Sequence, residues 1–148
     1  MLYVYTDGSC LNNQSIQNQG GCSFIVTDQK NIIYEYSESE RNTTNNRMEL
    51  LACIRAMEYA TREPNVLYTL YTDSNYVIQG LYGWSKIWEE NHWMTSNKKT
   101  PVQNQDLWKT LLALHQKCNV SLQKIKAHAG NEYNERADQL AKDAAAKA

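Results

Sequence analysis

The chain opens on an apolar, tyrosine-rich run, residues 2–6, that leads straight into Asp7. Two more extended runs follow, at about 21–27 and 31–37, with Gly20-Gly21 before the first and the polar turn Asp28-Gln29-Lys30-Asn31 leading into the second. The three read as an antiparallel meander. Glu35, Glu38, Glu40 and Arg41 along and beyond the third run suit an edge strand, which charge protects from pairing with other chains. From about 44 to 62 the pattern turns helical: Thr43, Thr44 and Asn45 are candidate N-caps, and Pro64 lies past the far end. A second tyrosine-rich run, 66–72, leads into Asp73, and a short helix is expected from Asp73 or Ser74. Residues 82–100 look irregular but hold Trp84, Trp88 and Trp93. A helix over about 104–117 puts Leu107, Leu111, Leu114 and Cys118 on one face, residues 120–125 form a fifth strand, and 132–147 a last, Ala-rich helix expected to fray at its end.

Composition narrows the class without choosing a function. The 148 residues suit one domain, 1–148, with a real core, and no repeat or linker divides them. No apolar run approaches the roughly 20 residues of a membrane span, and Asp7 and Asn12-Asn13 interrupt any leader-like start, so no membrane is expected. Cys10, Cys22, Cys53 and Cys118 are widely spaced, which predicts reduced thiols in a cytoplasmic protein rather than a zinc site or a disulfide frame. Asn42-Thr43-Thr44 and Asn119-Val120-Ser121 match a glycosylation pattern that means nothing without secretion. A net charge of −1 argues against a general nucleic-acid binder, though not against a local basic face.

The chemistry begins with the repeated Thr-Asp. Each copy ends a β-rich run, which predicts a carboxylate at the carboxyl edge of a strand, where α/β sheets bind ligands. Two such strands, adjacent and parallel, would set two like charges side by side, and a divalent cation is the usual reason for that. Turn and N-cap roles for Asp and Ser after a strand account for the same residues and stay open. Glu49 shares a helix face with Ala52, Cys53, Ala56 and Ala60, small residues that let the helix lie close to a sheet. A buried acid there costs several kcal/mol unless paired or metal-bound, as order of magnitude; the competing account is a first-turn Glu favoured by the helix dipole. Asp138 sits beside the apolar face of the last helix, where a solvated helix charge is the alternative. His128 lies in the small-residue loop Lys126-Ala127-His128-Ala129-Gly130-Asn131 and is free to move.

Taken in order, Tyr5-Thr6-Asp7-Gly8-Ser9-Cys10, Thr43-Thr44-Asn45-Asn46-Arg47-Met48-Glu49-Leu50, Tyr71-Thr72-Asp73-Ser74, Lys126-Ala127-His128-Ala129-Gly130 and Asn134-Glu135-Arg136-Ala137-Asp138 resemble ribonuclease H of type 1 over nearly the whole chain. The resemblance implies an α/β fold with a mixed five-stranded sheet, three strands antiparallel and two parallel, flanked by helices. It implies that Asp7, Glu49, Asp73 and Asp138 bind metal, that His128 assists catalysis, and that the RNA strand of an RNA–DNA hybrid is hydrolysed to 5′-phosphate and 3′-hydroxyl ends. Carboxylates suit Mg2+ or Mn2+, and two ions per site are expected with substrate bound. By the same resemblance Asn45 and Gln79 contact the RNA strand, with Asn46 beside them, and Thr44 helps hold a DNA phosphate; N-capping by Thr-Thr-Asn-Asn holds alongside. Trp84, Trp88 and Trp93 fall in the segment that grips the hybrid in many bacterial members. Core packing is the alternative for each, with Trp93 expected to be the most exposed.

Two departures from the family stand out. Residues 11–19 make a longer loop than usual, without the Gly/Pro richness, and predict mobility. The tryptophan segment is poor in charge: Lys86, Lys98 and Lys99 are offset by Glu89 and Glu90, which predicts weak binding or a helper, since phosphate contacts dominate affinity. A monomer is expected. An integrase-like nuclease and an inactive nucleic-acid-binding module are the competing functions; Asn45-Asn46-Arg47-Met48-Glu49 argues against the first, and the full acid set against the second.

Overall fold

Five strands form one mixed sheet in the order β3-β2-β1-β4-β5. The computed structural model describes residues 1–11, 18–95, 100–125 and 131–148. Strands β1 (Leu2–Leu11), β2 (Gln19–Thr27) and β3 (Ile32–Arg41) run antiparallel, while β4 (Tyr68–Thr72) and β5 (Val120–Lys124) continue the sheet in parallel from β1. This is the expected five-stranded arrangement. β1 is central, so its Val4–Gly8 stretch is buried on both faces, as a strand covered on two sides must be.

Two helices cover the sheet, one on each face. α1 (Asn45–Ala60) is capped by Thr44, whose Oγ1 accepts the backbone N–H of Arg47 at 3.1 Å. Its buried residues Leu50, Cys53, Ile54 and Met57 join Val4, Phe24, Val26 and Leu70 in the main core. α5 (Glu132–Lys147) covers the other face, where Ala137 meets Tyr5 and Ile25. Glycine allows both approaches. A Cβ on Gly8 would come within 2.5 Å of the Glu49 nitrogen in α1, and one on Gly21 within 2.2 Å of the Ala141 carbonyl in α5. Because side chains alternate across a strand, Gly8 opens the α1 face while its neighbour Asp7 points to the face of α5.

The other helices are α2 (Asn75–Gln79), α3 (Ser85–Glu90) and α4 (Gln105–Lys117), with a π-helical turn at Gly80–Trp84 joining α2 to α3. Part of the stretch expected to be irregular is therefore helical. Trp108 of α4, fully buried, seats against Trp88 and Tyr76. The predicted face of α4 is only partly right: Leu111 is fully buried, whereas Leu107, Leu114 and Cys118 are half-buried and pack at the margin of the core.

Strand limits differ most at the site. β1 does not stop before Asp7. It continues to Leu11 because β2 pairs with it the whole way, from Tyr3↔Thr27 to Leu11↔Gln19, whereas the parallel ladder with β4 ends at Tyr5↔Tyr71. Asp7 thus lies inside a strand yet beyond the end of the parallel pairing. β2 and β3 are likewise longer than their apolar runs, and β4 starts two residues later than the pattern implied. All four cysteines are free thiols, and burial pushes the Cys53 thiol up to about 12, leaving it inert. Among the described residues, no helix is long and apolar enough to cross a membrane.

Candidate active site

Asp7, Glu49 and Asp73 converge where β1 and β4 part. One carboxylate oxygen from each lies within 4.8 Å of the other two. Asp7 comes from the interior of β1, Glu49 from the first turns of α1, and Asp73 from the step between β4 and Ser74, the N-cap of α2. Asp7 and Glu49 are each only 5% exposed. Asp7 Oδ1 accepts the N–H of Gly8 at 2.9 Å. That single donor does not offset the surroundings: burial first, then a hydrogen bond to Asp138 and the charges of Asp73 and Asp138, push the Asp7 carboxyl up to about 8. Burial, then the charges of Asp7 and Asp73, push Glu49 up as well.

The fourth acid, Asp138, reaches Asp7 from α5 and forms an ion pair with Lys142 at 3.0 Å. Asp138, expected beside the apolar face of the last helix with a solvated charge as the alternative, is thus turned toward Asp7. The carboxyls of Glu49 and Asp138 both hydrogen-bond to that of Asp7. Two carboxylates share such a bond only with a proton between them. Meanwhile Glu49 Oε2 is buried and has no hydrogen-bond partner among the described residues. An oxygen-only donor set, excess negative charge and an orphaned buried oxygen fit a divalent cation of the hard class. His128 lies outside the described residues.

The residues expected to read substrate group around the start of α1. Thr44, Asn45 and Asn46 line a groove of about 680 Å³ with Gln103 and Asn104. Thr44 spends its hydroxyl as the N-cap, and Gln79 is exposed at the end of α2. Trp84 and Trp88 share a helical face, 6.1 Å between ring centroids, and Trp88 packs with a tilted ring against Trp93 at 6.0 Å. The exposure order is not the expected one. Trp84 is the exposed ring at 40%, whereas Trp93 is half-buried against Trp88 with Lys109 over its face at 5.3 Å. A bend back toward α4 explains this: the N–H of Trp93 donates to the Trp88 carbonyl, and Val102 N–H to the Trp93 carbonyl.

The pattern missed Asn18. Its carboxamide brackets the Thr43 peptide, Nδ2 donating to the carbonyl at 2.5 Å and Oδ1 accepting the N–H at 2.7 Å, so the entry to β2 holds the entry to α1. An Asn at the end of a polar loop carries no periodic signal for this. Residues 12–17 of the loop expected to be mobile lie outside the described residues.

The sequence profile of the RNase H family matches residues 1–146. The chain belongs to the RNase H family. Among its relatives, a ribonuclease H of Shewanella denitrificans is 46% identical over 142 residues, spanning 96% of this chain and 85% of that protein. One of Thermoanaerobacter sp. is 44% identical over 142 residues, spanning 95% and 87%. Among solved structures, LC9-RNase H1, a type 1 RNase H with the type 2 active-site motif, superposes with a TM-score of 0.82 at 30% identity, over 99% of this chain and 72% of that one. The PFV RNase H domain gives 0.82 at 24% identity, over 99% and 94%, a likeness of fold. In this RNase H chain all four acids of the expected set, Asp7, Glu49, Asp73 and Asp138, come together where β1 and β4 part.

Proposed function

We propose that this ribonuclease H hydrolyses the RNA strand of an RNA–DNA hybrid, with Asp7, Glu49, Asp73 and Asp138 as ligands of Mg2+ or Mn2+ and His128 as an auxiliary group. The convergence of three carboxylates within 4.8 Å supports it most directly. Divalent cations held there would supply an activated water and would neutralise charge at the leaving oxygen, the products carrying 5′-phosphate and 3′-hydroxyl ends, with two ions expected once substrate is bound. The chain's own residues do the rest. Asp7, which neighbours both Glu49 and Asp138, would hold a cation in its ionised form. Lys142 forms an ion pair with Asp138 at 3.0 Å. Asn45, Asn46 and Gln79 hydrogen-bond the RNA strand, where a 2′-hydroxyl distinguishes it from DNA. Thr44 and the backbone donors at the start of α1 take a DNA phosphate. Trp84 offers an exposed ring to the sugar–phosphate surface, with the tilted rings of Trp88 and Trp93 packed in series behind it. The reading includes one RNase H domain over 1–148, supported by a family match over residues 1–146, and takes it to act as a cytoplasmic monomer.

The test is an end-labelled hybrid incubated with Mg2+, with Mn2+ and with chelator. Cleavage of the RNA strand alone, lost in chelator, is the expected result. Cutting of duplex DNA instead would favour an integrase-like nuclease, and binding without cutting a mere recognition module.

A further inference from the structure

Three helices are joined by one side chain beside the groove of Asn45 and Asn46. Asn104 precedes α4 with a left-handed backbone, φ 60° and ψ 29°, and its side chain makes no capping hydrogen bond. The carboxamide is committed elsewhere. Its Oδ1 accepts from Arg47 Nη1 at 3.2 Å, and its Nδ2 donates to the Tyr76 hydroxyl at 3.0 Å. The same hydroxyl accepts from Trp108 Nε1 at 3.0 Å. Arg47 also grips both oxygens of Asp106, at 3.1 and 2.9 Å. Arg47 directly follows Asn46 on α1, and Tyr76 lies one turn before Gln79 on α2. One carboxamide therefore ties the helix carrying Asn45 and Asn46 to the helix carrying Gln79. The seat is tight: a Cβ on Gly80, next to Gln79, would fall 2.1 Å from the Trp108 ring.

We propose that Tyr76, acting through Asn104 and Arg47, is a positioning residue that sets the spacing between Asn45–Asn46 and Gln79, and with it the preference for a ribose over a deoxyribose strand. The inference rests on reading those three residues as RNA contacts. A hydrogen bond to a 2′-hydroxyl holds over only a few tenths of an ångström, so two donors on separate helices need a fixed separation. The hydroxyl of Tyr76 is turned inward to its two donors and acts on substrate only through that separation.

Tyr76→Phe removes one oxygen and strands both donors, so some loss of melting temperature follows whether or not the residue positions anything. The deciding readout is the ratio of affinities for an RNA–DNA hybrid and for duplex DNA of the same sequence, measured well below melting in an Asp7→Asn background where nothing is cut. Tyr76→Phe is expected to lower that ratio about tenfold, equivalent to 1.4 kcal/mol. Asn45→Ala should lower it similarly, and the double variant no further than either alone, because both act on one contact. In the cutting enzyme the loss should appear in KM rather than kcat. A preserved ratio in Tyr76→Phe, or strictly additive losses, would reduce Tyr76 to a structural residue and overturn the proposal. A preserved ratio in Asn45→Ala would remove the RNA-contact reading itself, and the proposal with it.

Discussion

Asp7 shows what one residue can hold in tension. Its carboxyl is buried, and hydrogen-bonds to those of two other acids. Asp7→Asn removes the charge with almost no change in volume. It should abolish turnover with metal while raising the melting temperature without metal, because the fold no longer has to keep a proton or a repelled charge at that position; a hybrid-cleavage assay and a chelator-treated melt check the two halves. Near-normal turnover would remove Asp7 from the metal site. His128 should behave differently. As an auxiliary group in a small-residue loop, His128→Ala should cost about 10²-fold or less at saturating metal, the low end of general acid–base contributions. A loss as deep as that of Asp7→Asn would make it essential. At this scale the pattern was most legible where chemistry and strand period coincide: two tyrosine-rich runs each closing on Thr-Asp. It was least legible at Asn18 and Asn104, whose partners lie 25 residues or more away along the chain.

At the scale of elements, helix starts and the small-residue face of α1 could be read locally, because caps and the 3.6-residue period are local. Strand ends could not. β1 runs past Asp7 only because β2 pairs with it, and Trp108 is buried only because Gly80 leaves room for its ring. The π turn and α3 interrupt each other's period, which is why 82–100 read as irregular. This segment also carries a prediction. Lys86, Glu89 and Glu90 are all exposed on or beside α3, so the two acids offset the cation where a hybrid backbone would pass. The wild-type affinity should fall only shallowly with salt. Glu89→Lys with Glu90→Lys should tighten hybrid binding and steepen the log–log slope by about one unit for each phosphate newly neutralised, with kcat little changed. Trp84→Ala, the exposed ring, should weaken binding more than Trp93→Ala, whose ring is half-buried. An unchanged slope in the double variant, measured across a salt series in the Asp7→Asn background, would move the binding face away from α3.

For the whole molecule, the acid cluster makes stability a function of pH and metal together. The Asp7 carboxyl, ordinarily near 3.8, is held at about 8 in the fold, and Glu49 is raised in the same direction. Between those values the folded chain keeps protons that the unfolded chain has released. Raising the pH through this window therefore favours unfolding. The stability tied to these protons is fully present below about pH 4 and is lost as the pH rises through about 8. Asp106, lowered by its hydrogen bond to Arg47, acts oppositely: its contribution is lost as the pH falls below the ordinary carboxylate range, outside the window. The metal-free protein should thus melt at progressively lower temperature from about pH 5 to pH 8. A divalent cation binds the ionised carboxylates and substitutes for the lost protons, so the rise in melting temperature on adding Mg2+ should grow across the same interval. Asp7→Asn, with no proton to lose at that position, should flatten both trends. Melting curves at a series of pH values, with chelator and with Mg2+, decide it. A metal-free melting temperature that stays level from pH 5 to pH 8 in the wild type, as in Asp7→Asn, would mean that the cluster is held open and solvated, and that cation binding does not have to displace a proton.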